Sequence, residues 1–446
     1  MLDVRVGSGP TVSVNGATND LNRVIGEAAE ASFAAITPYQ KALYLEAAGR
    51  PDEALAAAKA YALSLPPEDR RRVVAYNIWA PREPDAAVAR RLLHNSVAVV
   101  PDQLAGWRNL AQVEFRQGRE QAAADNAAKV LGQKIGSVEL RVWGPAGEAL
   151  VRRETGYLAA LLQGSYAGAW SMARLDEDGA VALALSHDGA AVRRLLEAAR
   201  EETPLPAGAA ERARALYAMT MADWPGMARA VADYERARAD WFAAPERPGL
   251  PPHSASVVLT ARYADERARQ IAPLKAVALA HTGQIEAARA IAAATPLDCD
   301  ACLRARAEVE TAAANWAAAD AWYARAAVQA PRLPHAETQW GASRLARGDA
   351  AGAVARLSAA AAKGPRFADP LAYWGEALLA QGDAAGAAAK FVQAAKLAPR
   401  WGRLHLKWGE ALAKLGKADE ARAKWRAAAT MDLSPTDRAA LKAHGV

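Results

Sequence analysis

The chain has 446 residues, 52% hydrophobic and 23% charged, with a formal net charge of +6. That balance excludes a disordered chain, and since no apolar run reaches the ~18 residues a membrane span needs, no transmembrane helix is expected. Arg and Glu are interspersed along the predicted helices, as on solvated faces carrying i,i+4 pairs, so no nucleic-acid partner is expected. Ala supplies most of the apolar share, with only 5 Phe and 6 Met. Ala is the strongest helix former and buries little area, which favours closely packed helices: the fold class is all-α.

The first 35 residues do not repeat. "LDVRVGSGPTVSVNG" alternates like a short strand pair, and "NDLNRVIGEAAEASFAAI" reads as a helix capped by Asn19 or Asp20. The start lacks the basic and apolar regions of a secretory signal. The expected compartment is the cytoplasm, or the periplasm if a membrane segment precedes this chain. Residues 36–135 read as helical hairpins. "PYQKALYLEAAGRPDEAL" carries Ala42, Gly49 and Ala54, and "WRNLAQVEFRQGREQAAADNAAKV" carries Ala111, Gly118 and Ala123 at matching positions. Over 136–265 the pattern degrades to degenerate hairpins, with "RLDEDGAVALALSHDG" and "APERPGLPPHS" reading as loops.

From 266 to 433 the pattern is explicit. Trp340-Gly341, Trp374-Gly375 and Trp408-Gly409 stand 34 residues apart, as do Gly348, Gly382 and Gly416. Ala353, Ala387 and Ala421 follow, then Leu357, Phe391 and Trp425, while Pro365 and Pro399 close their units. Each unit is two helices, the first stopped by a Gly that takes the left-handed conformation cheaply. One hairpin cannot bury its apolar face alone, so neighbours must stack. Residues 434–446, opening at Ser434-Pro435, read as a capping helix. In such an array each unit is expected to touch only its neighbours, so the part after about residue 270 would fold by itself. Trp340, Trp374 and Trp408 are expected in the core, a groove-facing aromatic ladder being the alternative.

These residues resemble the tetratricopeptide repeat family, whose unit is a 34-residue helix-turn-helix, and the C-terminal part is similar to repeat regions of some bacterial regulators. Its small first-helix residue matches Ala307, Gly341, Gly375 and Gly409. Its second-helix Ala matches Ala319, Ala353, Ala387 and Ala421, and its terminal Pro matches Pro331, Pro365 and Pro399. The large residue usual four positions before the small one is replaced by Glu337 and His405, and only Leu371 conforms. The resemblance implies a right-handed superhelical solenoid that binds a protein or peptide partner along its concave face. In that register Gln339, Tyr373 and Lys407 form one groove row, and Ala342, Glu376 and Glu410 a second, with Arg403 and Lys414 at the C-terminal end. Family grooves that clamp a terminal carboxylate place Asn at the second row. The two Glu there imply that an acidic C-terminal peptide is not the ligand and that a segment with Lys or Arg beside an apolar anchor is, unless Glu376 and Glu410 pair with nearby bases.

Candidates for chemistry are few. Cys299 and Cys302 form a C-x-x-C at a helix start, where a thiol's pKa is lowered, so a dithiol with a redox role is one reading and two ordinary half-buried thiols the other. The seven His have no metal-ligand spacing, and no phosphate loop or nucleophile motif is present. The chain is therefore expected to be a protein-interaction scaffold and not an enzyme, with no cofactor and no metal. A ligand-sensing part of a signalling protein and a thiol redox protein are the alternatives.

Overall fold

A computed structural model describes residues 2–5, 11–16, 20–36, 38–173, 177–201, 205–243 and 254–445. The described chain is helical apart from one antiparallel strand pair, β1 (Leu2–Arg5) and β2 (Thr11–Val14), in register Leu2 to Val14 and Arg5 to Thr11. Val14 packs on Val24 and Ala28 of α1 (Leu21–Ile36), which gives the strands the apolar backing that two strands alone lack. Of the two predicted caps, Asn19 lies outside the described residues, and Asp20 bonds Arg23.

The chain divides into two compact units. The first comprises Met1–Val113, Gly132–Glu148 and Leu250–Tyr263. Within it α2 (Pro38–Ala47) and α3 (Pro51–Leu63) pack with α4 (Arg72–Trp79) around Ala42, Ala58, Ala62 and Ala75. Leu93 and Val97 of α5 (Ala86–Val99) meet Leu110 and Val113 of α6 (Leu104–Arg116). Asp85 starts α5 by accepting from the Ala87 and Val88 amides, satisfying donors that the first helical turn leaves free.

The second unit comprises Glu114–Leu131, Ala149–Gly249 and Ala264–Val446. It takes in α7 (Glu120–Gly132), then the end of α8 (Ser137–Leu162), then α9 (Tyr166–Met172), α10 (Glu177–Leu185), α11 (Gly189–Glu201), α12 (Ala209–Thr220) and α13 (Trp224–Ala243). From Ala264 the end of α14 (Ser254–Glu266) runs through a π turn into α15 (Ala272–His281), which pairs with α16 (Ile285–Ala294). Four hairpins follow: α17 (Asp300–Ala312) with α18 (Trp316–Gln329), α19 (His335–Ala346) with α20 (Ala350–Lys363), α21 (Ala368–Ala380) with α22 (Ala384–Leu397), and α23 (Gly402–Lys414) with α24 (Ala418–Ala429). Helix α25 (Pro435–Lys442), capped by Ser434, covers the last of them.

One contact explains the small residue of each hairpin. A Cβ on Gly341 would stand 2.5 Å from Leu357, one on Gly375 2.5 Å from Phe391, and one on Gly409 2.3 Å from Trp425. In these three hairpins the first helix therefore has to be bare at the point where the second presents its bulk. Ala307 and Tyr323, both fully buried, fill the same positions one unit earlier.

The middle of the chain corrects the sequence reading. Of "RLDEDGAVALALSHDG", residues 174–176 lie outside the described residues and the rest is not a loop: α10 and α11 form a hairpin, with Ala180, Leu183, Val192 and Leu195 buried together. Its turn keeps the array's chemistry, since Asp188 accepts from the Ala191 amide as Asp349 does from Gly352 and Asp383 from Gly386. What changed is the preceding residue, which is Gly at φ +85° and +87° in Gly348 and Gly382 but His187 at φ +63° here and Ala222 at φ +52° between α12 and α13. "APERPGLPPHS" lies outside the described residues except Ser254, which opens α14.

Nor does each unit touch only its neighbours. Within the second unit His187 bonds Asp369 at 2.9 Å, His335 bonds the Leu162 carbonyl at 2.9 Å, and Tyr217 and Arg193 both reach Asp432. Residues of α8, α11, α12 and the turn before α11 thus bond to α19, α21 and the connection after α24, so the part after about residue 270 has partners outside itself. Its Trp401 is 2% exposed and stacks on His187, with ring centroids 3.7 Å apart. Alone, it would expose that face.

The tryptophans divide. Trp340 is buried as expected, at 6% exposure, but Trp374 and Trp408 are half-buried, each covered by a lysine ammonium.

Candidate functional site

The inner helices of the second unit surround a cavity of ≈360 Å³. Its walls come from α8, α10, α12, α15, α17, α19 and α21, mostly the first helices of successive hairpins, joined by the turn before α7. One side is apolar: Leu161, Val181, Leu185, Leu216, Pro273 and Leu274 line it. The other gathers polar groups on α17, α19 and α21, where the 34-residue step places Ala301, His335 and Asp369 in one row, Ala305, Gln339 and Tyr373 in the next, and Glu308 with Ala342 in a third.

The charged groups of the lining are held by one another. Arg304 donates to both oxygens of Glu120, at 2.7 and 3.0 Å. Burial opposes the charge of each, and their mutual attraction outweighs it, holding the Glu120 carboxyl below and the Arg304 guanidinium above its ordinary value. Asp369 accepts from His187, and Glu308 accepts from His281 at 2.8 Å and from the Tyr323 hydroxyl at 2.7 Å. Arg269 donates to Asp298 and to the Gln117 carbonyl, both at 2.8 Å. His335 is pushed down to about 4, first by burial and then by the Arg304 charge, so its ring is neutral at pH 7 and its Nε2–H donates to Leu162.

Of the residues proposed for the groove, Gln339, Tyr373 and Ala342 line this cavity, and the others do not. Glu376 accepts from Arg403 through both oxygens, at 2.9 and 2.7 Å, and Arg403 also donates to Asp437 at 2.8 Å. Glu410 accepts from Lys407 at 2.9 and 3.0 Å, and Lys414 is exposed. Glu376 and Glu410 are thus each held by a base.

Cys299 and Cys302 are neither free nor half-buried. They are joined as a disulfide, both with no exposed surface, and the Cys299 sulfur accepts from the Cys302 amide as the N-cap of α17. The pair abuts Gly118, where an added Cβ would stand 2.8 Å from the Cys299 sulfur, so it ties the turn before α7 to α17.

The periodic contacts decide the fold. Left-handed glycines, small-against-bulky pairs and inward-facing rows all recur at 34 residues. The array is of the tetratricopeptide type. No family model matches the sequence, nor does any curated protein. Among solved structures, yeast Tom70 matches over 92% of this chain and 94% of its own, at 12% identity and a TM-score of 0.39. The APC/C hetero-tetramer Cut9-Hcn1 matches over 95% and 94%, at 10% identity and 0.39. MamA from AMB-1 matches over 35% and 95%, at 19% identity and 0.30. At these values the likenesses carry no functional argument, which has to come from the tetratricopeptide-type array's own side chains. Among the described residues no helix is long and apolar enough to cross a membrane.

Several lining residues were within reach of the sequence. Carrying the groove rows back one unit, from 339 to 305 and from 342 to 308, would have found Ala305 and Glu308, and the row four positions before Gln339 and Tyr373 holds His335 and Asp369. Tyr166, His187 and Glu120 were not reachable, because they meet the array only through the closure of the second unit.

Proposed function

We propose that the chain is a non-catalytic recognition module that receives a segment of a partner protein in the cavity of its second unit. The observation that carries this reading is the convergence of successive first helices on one cavity with an apolar side and a polar side. A volume of ≈360 Å³ falls in the range of sites that bury most of a small ligand or an inserted peptide group. Nothing on the lining forms a nucleophile and base pair: the histidines bond carboxylates or a carbonyl, and the one C-x-x-C is a buried disulfide. The docking site is therefore centred on Gln339, Ala342 and Tyr373, and Glu376 acts in stability through Arg403.

A photo-crosslinking residue placed at Ala342, on the cavity, and separately at Val328, 80% exposed on α18, tests this in cells expressing the full chain. The expected result is a discrete crosslinked partner from position 342 and none from 328. Capture from 328 alone, or the same products from both, would overturn the reading.

A further inference from the structure

The geometry points to an uncharged occupant: a large apolar side chain of the partner segment, entering together with its neutral backbone amide. This rests on the reading above and names the chemistry of the same site.

The charge pattern of the lining is the argument. Each lining carboxylate already accepts from a basic side chain: Glu120 from Arg304, Glu308 from His281 and Asp369 from His187. Among the lining cations, Arg269 is held by Asp298 and Arg304 by Glu120. An incoming Lys or Asp would lose its water at carboxylates and guanidiniums already hydrogen-bonded within the protein, and burying a charge without full compensation is costly.

The neutral groups are in a different state. The Gln339 Oε1 atom is buried and has no hydrogen-bond partner, although its residue lines the cavity. A buried acceptor left unmade is a standing cost that a donor from an occupant would remove. Tyr166 and Tyr373 also line the cavity, and burial pushes both phenols well above their ordinary values, so both are uncharged. An amide N–H reaching Gln339, with an apolar side chain against Leu185, Leu216 and Leu274, uses both sides of the cavity at once.

The test uses the full-length chain and four blocked amino acids that share one backbone: N-acetyl-phenylalaninamide, N-acetyl-leucinamide, N-acetyl-lysinamide and N-acetyl-aspartic acid α-amide. Saturation-transfer NMR detects binding, and titration gives Kd. The two neutral probes are expected to bind at least about tenfold more tightly than either charged one, and to reduce the Ala342 crosslink in competition. Ala342→Trp should abolish binding by filling the cavity. Gln339→Leu should weaken it about two- to tenfold while leaving the melting temperature unchanged or higher, since it deletes an unmet acceptor. That pairing of outcomes separates a lost contact from a lost fold. Charged probes binding as well as neutral ones, no neutral binding, or unchanged binding in Gln339→Leu would each overturn the inference. Neutral binding that leaves the crosslink intact would overturn it as well, assigning the cavity to a free small molecule. If position 342 crosslinks a partner while charged probes win, the site stands and only its chemistry fails; if it crosslinks nothing, the site itself fails.

Discussion

The Arg306 guanidinium lies over the face of Trp322, 5.3 Å from its ring centroid, and one repeat later the same two positions hold Trp340 and Arg356 with their roles exchanged, 3.5 Å apart. The next two units keep the second arrangement, with Lys390 over Trp374 at 3.5 Å and Lys424 over Trp408 at 3.4 Å. An aromatic on the first helix thus meets a cation 16 positions on, beside the Gly-to-bulky contact. The exchange at Arg306 places its guanidinium where it also donates to the Thr295 carbonyl at 2.7 Å, tying α17 back to the preceding hairpin.

If the pair is a true interaction and not mere proximity, Trp374 and Lys390 should be coupled. A double-mutant cycle with Trp374→Leu and Lys390→Met, read by urea denaturation, should give a coupling of about 0.5–2 kcal/mol. Burial lowers the Lys390 pKa, so the ammonium is already partly stripped of water where the ring meets it. Strict additivity of the two substitutions would refute the pair.

His187 stands in a conformation that suits Gly, and its bond to Asp369 with its stack on Trp401 is what holds it there. Both His187→Gly and His187→Ala should destabilise the second unit by removing those contacts. The Ala variant should be worse by about 1 kcal/mol, because Ala keeps the left-handed penalty that Gly escapes. Equal stabilities in chemical denaturation would mean that the turn relaxes and no strain is held there.

These cases show what the sequence could and could not say. The hairpins after Leu274 were legible because Gly283, Gly348, Gly382 and Gly416 mark four of their five turns, and the fifth, at Ala314, lies in phase with the units that follow it. Those around His187 and Ala222 were not, because the turn there keeps Asp188 and Asp223 but replaces the Gly that a reader looks for. The cavity was half legible. Gln339 and Tyr373 follow from the register, whereas Glu120 and His187 reach it across more than 180 residues, through a closure that no local periodicity encodes.

The depressed His335 sets a pH dependence with a definite sign. Its folded value of about 4 lies below the ordinary 6.5, so between those values the unfolded chain binds the extra proton. The stabilising contribution is complete above about pH 6.5 and is lost as pH falls toward 4. Asp300 acts oppositely: burial and then Glu120 raise it to about 6, so its contribution grows as pH falls from there. The clean measurement is therefore a difference. Wild type minus His335→Gln in unfolding free energy should decline between pH 6.5 and 4. A flat difference would show that His335 can be protonated in place.

Glu376 and Glu410, which looked equivalent in the repeat register, should behave differently when reversed. Glu376 holds Arg403 by two bonds, and Arg403 in turn holds Asp437, itself buried and bonded to Ser434, so one guanidinium joins α21, α23 and α25. Glu376→Lys sets an ammonium against that guanidinium and should cost about 1.5–3 kcal/mol, the worth of hydrogen bonds between charged groups. Glu410 has only Lys407, three residues before it on the same half-exposed helix face, and such pairs are worth little, so Glu410→Lys should cost less than about 0.5 kcal/mol. Partner capture lost in Glu376→Lys would then report a loosened C-terminal cap, whereas capture lost in Glu410→Lys at an unchanged melting temperature would report contact with the partner. Melting both variants before any binding assay separates these cases. Equal melting temperatures would show that Arg403 does not join the last three hairpin elements as described.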